Sequence, residues 1–281
     1  MTINLGSTLA SAREPTQLVM LLAVLGACAG APAAPSPSHG APTPAAIPSP
    51  VERLLEASDV ASVVDQRARV FTRQVAVLVA DLSDDELGRL VPAVQAGFAP
   101  ELLRRDVAAF IEAEAPEGRI AEVLTWLEGG ANAEARRIVS AYDPPLSLQD
   151  WLTEYTDAPP AEERVRLVAG WTEAGGAGDF FVLLDEALAE AAFAVQGVLR
   201  PGSPAFAPSR GSELRGRLER SFSASVLTTL HESETVPDGV VRAAIAELES
   251  EAGRWYVLTW QLAVAEAVRS AGLRVVAALQ G

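Results

Sequence analysis

Beyond Pro50, apolar residues recur along the chain at the three- and four-residue spacing of α-helices. One such face carries Leu103, Val107, Phe110 and Ile111, and a second carries Val257, Trp260, Val264 and Val268. No segment shows the sustained alternation of apolar and polar residues that is typical of a half-buried strand. The pattern therefore predicts an all-α fold, a multi-helix bundle or array whose apolar stripes form the core.

Polar residues at the ends of these stretches predict where helices begin and end. Ser49-Pro50-Val51-Glu52 and Ser83-Asp84-Asp85-Glu86 both fit a capping box, in which a hydroxyl and a carboxylate satisfy the first free amides of a helix. The glycine-rich stretch from 175 to 178 predicts a helix end, with Asp179 capping the next helix. That next helix, over 180–199, contains three acidic residues, so we do not expect it to span a membrane.

The composition excludes several kinds of chemistry but does not identify an activity. The chain has 281 residues, 49% of them hydrophobic, which is enough for a sizeable core, and a net charge of -15. This charge opposes approach to phosphates, so we expect no nucleic-acid partner. Beyond residue 50 there is no Lys or Cys, and the one histidine is His231. Lysine and cysteine nucleophiles and multi-His/Cys zinc sites are excluded there, and we predict no metal or cofactor.

His231 is followed by Glu232, Ser233 and Glu234, so a Ser-His-acid arrangement is one interpretation of this stretch. No G-x-S-x-G elbow is present anywhere in the chain to support it. A histidine at the end of a helix, where its charge favours the helix dipole, is the interpretation that we prefer.

The N-terminal residues predict where in the cell the protein is located. The apolar run Leu18–Ala27 is too short for a stable membrane span but has the length of a signal-peptide core. The last three residues of this run and the cysteine after it, Leu25-Gly26-Ala27-Cys28, resemble the lipobox of bacterial lipoproteins. This resemblance implies cleavage after residue 27, lipid attachment to Cys28, and membrane anchoring through that lipid. Because Ala29 rather than aspartate follows the cysteine, it further implies the outer membrane, facing the periplasm.

Residues 28–49 are rich in proline and alanine, so we expect a disordered, extended linker between the lipid and the helical body. At about 3.1 Å per residue, such a tether of roughly 20 residues reaches about 60 Å. His39 lies within it and is expected to be solvated.

Two stretches of the body resemble each other, VAAFIEAEAPEGRI (107–120) and RAAIAELESEAGRW (242–255). They align without a gap, and both contain Glu, Gly and Arg at matching positions, namely Glu114, Gly118 and Arg119 in the first and Glu249, Gly253 and Arg254 in the second. We expect two helix-helix corners and an internal duplication, with repeat 1 over 50–142 and repeat 2 over 146–281, or a single domain over 50–281.

The two corner motifs resemble, in degenerate form, a signature of the DUF2059 family of secreted bacterial proteins, a Ser-Pro-x-Gly followed by a basic residue. The first copy keeps the Pro and Gly as Pro116 and Gly118, and the second keeps the Ser and Gly as Ser250 and Gly253. The resemblance implies an all-helical domain that faces the envelope, and it implies no reaction.

Glutamates and arginines surround both corners and allow two interpretations. They form either a solvated surface with weak ion pairs, which we prefer, or an acidic cleft for acid-base chemistry. The sequence therefore predicts a lipid-anchored envelope protein that binds an unknown protein or ligand or has a structural role. The alternative is a carboxylate-dependent hydrolase or lyase in the periplasm.

Overall fold

The computed structural model describes residues 48–58, 71 and 82–281. Within these residues the chain forms eleven α-helices and no strand, which confirms the predicted all-α fold. In chain order the helices are α1 (Pro50–Ala57), α2 (Asp84–Gly97), α3 (Pro100–Glu114), α4 (Arg119–Gly129), α5 (Ala131–Ala141), α6 (Leu148–Asp157), α7 (Glu162–Ala174), α8 (Ala177–Leu199), α9 (Gly211–Glu232), α10 (Asp238–Leu248) and α11 (Glu251–Gln280). The predicted signal peptide, Cys28 and nearly all of the linker lie outside the described residues.

Local sequence explains where the first helices begin. Both predicted capping boxes form, Ser49 with Glu52 at the start of α1 and Ser83 with Glu86 at the start of α2. Each serine hydroxyl accepts a backbone N–H of the first turn, and each glutamate accepts the N–H of its serine. Helix α3 begins at Pro100, where the missing N–H of proline costs no hydrogen bond.

The main core lies between α1 to α4, α8 and α11. Helix α11 has 30 residues, about 45 Å at 1.5 Å per residue, and packs against α2, α3 and α8. The predicted apolar faces supply this core, since Leu103, Val107 and Ile111 are at most 1% exposed and Val264 and Val268 at most 2%. The other predicted members of the two faces are half-buried against it, namely Phe110, Val257 and Trp260.

Small residues allow α11 to approach its neighbours closely. A Cβ atom added at Gly272 would lie 2.5 Å from the Cβ of Ala191 on α8, and one at Gly97 would lie 2.6 Å from Val275. Arg274 fixes the same end of α11, because its side chain donates to the carbonyl oxygen of Gly97 at 3.0 Å and pairs with Asp106. The two contacts join α11 to the end of α2 and to α3.

Helices α5, α6, α7, α9 and α10 form an outer layer with smaller hydrophobic clusters. One cluster joins α6, α7 and α9 through Tyr155, Val168 and Val226, and the other joins α5 to α10 through Ala135 and Val241. The layer meets the main core where α9 packs on α8 and α10 packs on α11.

The predicted seam between repeats lies in the connection between α5 and α6. The main core takes residues from both sides of this connection, since α3 packs against α11. The division of the body at 142 and 146 and the origin of its halves by duplication stay predictions.

The glycine-rich stretch ends α7, as predicted, but the expected role of Asp179 is wrong. Gly176 precedes the first residue of α8 in the left-handed conformation, with φ 63°, and no side chain caps this helix. Asp179 therefore lies within the first turn, exposed. Gln261 of α11 donates to the carbonyl oxygens of Gly175 and Gly176 at 3.3 and 3.1 Å, so tertiary contacts fix this corner.

None of the helices in the described ranges combines the length and the apolar character needed to cross a bilayer.

Candidate functional site

Both motif copies form helix-helix corners, as predicted, but with different geometry. In the first copy Glu114 ends α3, and Gly118 takes a left-handed conformation with φ 77° just before Arg119 begins α4. In the second copy Ser250 caps α11, so that Gly253 lies inside its first turn. A Cβ at Gly253 would lie 2.2 Å from the carbonyl oxygen of Glu247, whereas the space around Gly118 is open.

The structure brings the two corners together through an ion pair. Arg119 of the first copy pairs with Glu251 of the second and with Glu122 at 3.2 Å. Arg254 instead donates to the backbone carbonyl of Glu249. Glu114 is exposed, as are Glu112 and Glu117 of the same copy. These contacts fit the solvated, ion-paired surface that the sequence favoured over an acidic cleft.

Glu247 has a structural role that the sequence did not reveal. Its carboxylate accepts the backbone N–H groups of Ala131 and Asn132 at 2.6 and 2.9 Å, and also the side-chain amide of Asn132 at 2.9 Å. These are the first residues of α5, whose amides have no partner within that helix. A carboxylate from α10 therefore caps α5 and favours the positive end of its dipole.

A groove of about 610 Å³ opens in the outer layer. Helix α6, the α5–α6 connection, the start of α7, the end of α9 and the start of α10 surround it. Aromatic and proline side chains form much of its wall, namely Tyr142, Trp151, Tyr155, Pro144, Pro145 and Pro160. The charged residues of the lining are Glu154, Arg164, Glu234 and Asp238.

His231 holds one wall of the groove in place. It is 7% exposed, and its Nε2 lies 3.0 Å from the carbonyl oxygen of Leu146. Because a carbonyl can only accept, Nε2 carries a proton and donates. The ring of Trp151 packs edge-on against the imidazole, with centroids 5.5 Å apart. His231 thus ties the end of α9 to the proline-containing connection 142–147.

Two further polar contacts fix the rim. The hydroxyl of Tyr142 donates to Glu234 at 2.5 Å, and this hydrogen bond, together with partial burial, raises the pKa of Tyr142 to about 12. Arg164 donates to Asp238 at 2.7 Å and to the carbonyl of Ser233 at 2.5 Å. Burial also raises the pKa of the Tyr155 hydroxyl, which lines the same groove. Both phenols are therefore neutral over the physiological pH range.

The serine and histidine of the Ser-His-acid stretch 231–234 bond to other groups and not to each other. The hydroxyl of Ser233 donates to the carbonyl of Thr229, while the Nε2 of His231 bonds to Leu146. Within the described ranges, no group of three or more His, Cys, Asp or Glu side chains is placed to hold a metal ion.

A second, more open depression of about 370 Å³ adjoins the groove at Tyr142 and Thr235. Arg137, Ile138 and Ala141 of α5 complete the lining of this second part. The two depressions share Tyr142 and Thr235 in their linings, so they lie next to each other on the surface.

Sequence reasoning missed this groove. A signal was present, since two of the three tyrosines of the chain and one of its five tryptophans fall within residues 142–155. Aromatic side chains in such a density, beside Pro144 and Pro145, are unusual on an exposed connection and a short helix.

Comparisons of the chain with protein-family models, with curated proteins and with solved structures found no match.

Proposed function

We propose that this chain is a lipid-anchored helical protein of the bacterial envelope, and that its groove over Tyr142, Trp151 and His231 binds a partner. The observation that carries the binding part is the groove itself, about 610 Å³ with aromatic walls and a few fixed polar groups. Ligand sites typically combine these properties in volumes of about 300–1,000 Å³.

The anchoring part of the proposal rests on Leu18–Ala27 and the lipobox-like residues up to Cys28. Stable anchoring requires two or more acyl chains, because one chain gives only marginal membrane binding. A tether of about 60 Å would then let the helical body reach partners across the envelope. The resemblance to the DUF2059 family supports the same location.

The groove favours binding over the carboxylate-dependent reaction that is the alternative. Of the three carboxylates of the lining, Asp238 is neutralised by Arg164, Glu234 accepts the hydroxyl of Tyr142, and Glu154 is exposed to solvent. General acid-base catalysis works best with groups whose pKa lies near the operating pH. The Tyr142 pKa of about 12 is far from that range.

One experiment tests each part. For the anchor, Cys28→Ser should abolish labelling with palmitate and release the protein from the membrane fraction. Unchanged fractionation and labelling would contradict it.

For the groove, the full chain and Trp151→Ala are compared as baits in envelope extract. We expect a discrete partner that Trp151→Ala loses and that Leu258→Ala, an exposed apolar change on α11, retains. Equal capture by both variants would contradict the groove.

A further inference from the structure

We infer that the groove binds an extended, proline-containing peptide segment that carries an arginine or lysine. This inference rests on the proposed function and adds the chemistry of the partner. The groove is built of helices and connections, and the described residues contain no strand whose edge could pair with a peptide. Recognition must therefore come from side chains, as it does when aromatic grooves bind polyproline-type segments.

The shape of the groove favours an extended ligand. The main groove of about 610 Å³ and the adjoining depression of about 370 Å³ meet at Tyr142 and Thr235. A compact ligand would occupy one of these parts only. A polyproline-type segment advances about 3.1 Å per residue and can follow both.

The hydrogen-bonding groups that remain available match such a segment. Among the residues that the structure describes, the indole N–H of Trp151 donates to no group, although its ring packs against Tyr155 and His231. A polyproline-type backbone makes no internal hydrogen bonds, so its carbonyl oxygens are free to accept. The side chains of Trp151 and Tyr142 and the prolines of the wall supply aromatic and apolar surface against which proline rings can pack.

Charge selects a basic segment. Glu154 makes no ion pair with any residue in the described ranges, and Glu234 contacts only the neutral hydroxyl of Tyr142. Asp238 is already paired with Arg164. Two carboxylates at the main groove thus lack a cation, whereas Arg137 lies at the far depression. The basic residue of the ligand is therefore expected beside Glu154 and Glu234.

The test uses the full chain and three dye-labelled synthetic peptides, followed by fluorescence anisotropy. The first is a nine-residue proline-alanine peptide with two arginines, the second has glutamates in place of the arginines, and the third places the two arginines in an alanine-based helix. We expect the first to bind and the other two to bind at least about tenfold more weakly. Equal or tighter binding of either would overturn the inference, as would no binding of the first.

Variants locate the contact. Glu154→Gln and Glu234→Gln should each weaken binding of the arginine peptide about two- to fivefold, as expected for exposed ion pairs. Trp151→Phe, which keeps a ring but loses the N–H donor, should weaken it about two- to tenfold. Glu173→Gln removes an exposed carboxylate outside the groove and should change nothing. Equal effects of Glu154→Gln and Glu173→Gln would overturn the assignment.

The outcome is separable from that of the proposed function. A partner whose capture depends on Trp151, but which the arginine peptide does not displace, would overturn this inference and leave the proposed function standing. Loss of any groove-dependent capture together with absence of peptide binding would overturn both.

Discussion

The helix ends beside the main core and the groove differ in how their polar side chains are partnered. At helix ends beside the main core, polar side chains from neighbouring helices supply the partners. Arg136 of α5 donates to the carbonyls of Ala57 and Leu127, and Gln261 of α11 donates to the backbone at the end of α7. At the groove, Glu154 has no cation and the indole N–H of Trp151 has no acceptor within the described residues. The polar groups that join these helices are satisfied within the fold, whereas the two at the groove are available to a ligand.

This difference predicts that core substitutions change stability and groove substitutions change binding. The largest effect on stability is expected at Gly253. An added Cβ would approach the carbonyl oxygens of Glu247 and Leu248 to 2.2 and 2.5 Å, and these backbone atoms cannot move without opening the corner. Gly253→Ala should lower the free energy of unfolding by about 3 kcal/mol.

Gly118→Ala is the matched change in the other corner. Its cost comes only from the positive φ of 77°, since no atom lies within 4 Å of the added Cβ, and should be about 1–2 kcal/mol. Denaturant unfolding of both variants measures the two values. Equal losses would mean that the corners are equivalent after all.

A loss smaller than that of Gly253→Ala is expected at the crossing of α8 and α11. Gly272→Ala places a Cβ 2.5 Å from that of Ala191, and separating the two helices should cost about 1–3 kcal/mol. Gly197→Ala, at an exposed site on α8 with open space, should instead stabilise by about 0.5–1 kcal/mol. Thermal unfolding compares the two, and a shift in the same direction for both would contradict the close packing.

The ion pair between Glu86 and Arg200 predicts how the core layer responds to acid. Hydrogen bonds from Arg200 and Ser83 lower the pKa of Glu86 from 4.5 to about 2. Its contribution to stability is therefore complete above pH 4.5 and is lost as the pH falls from there toward 2. Glu86→Gln should flatten this part of the stability profile, measured by unfolding at several pH values. Glu173→Gln should leave it unchanged, and an equal flattening would contradict the assignment.

The smallest change in stability is expected at the groove. Trp151→Phe keeps the contacts of an aromatic ring with Tyr155 and His231 and removes no intramolecular hydrogen bond within the described residues. Because Trp151 is only half-buried, the smaller ring should lower the free energy of unfolding by less than about 1.5 kcal/mol, the lower end of the value for a fully buried large side chain. Calorimetric unfolding checks this value. A loss as large as that of Gly253→Ala would assign Trp151 to the fold rather than to binding.

Sequence predicted the parts of the fold whose signals are local. The capping boxes at Ser49 and Ser83 and the apolar faces around Val107 and Val264 depend on residues within a few positions of one another. The expected cap at Asp179 was wrong: α8 begins after Gly176 without a side-chain cap, and this corner is held instead by the long-range hydrogen bond from Gln261 to Gly176.

The groove could not be predicted in this way, because its contacts join distant segments. The hydrogen bond of Tyr142 with Glu234 spans 92 positions, and that of His231 with Leu146 spans 85. Likewise, Gly118 and Gly253 align in sequence, but Ser250 starts its helix before the aligned glycine and gives the second one a different role. The aligned residues predicted two corners but could not predict that their geometries differ.

Site-specific photo-crosslinking in the cell envelope tests most directly whether the groove is the binding surface. A photoreactive residue replaces Glu154 at the groove or, as the matched control, Glu173 outside it. The proposed function predicts one discrete crosslinked species from position 154 that is absent from position 173. No species at 154, or the same species with equal yield at both positions, would contradict it.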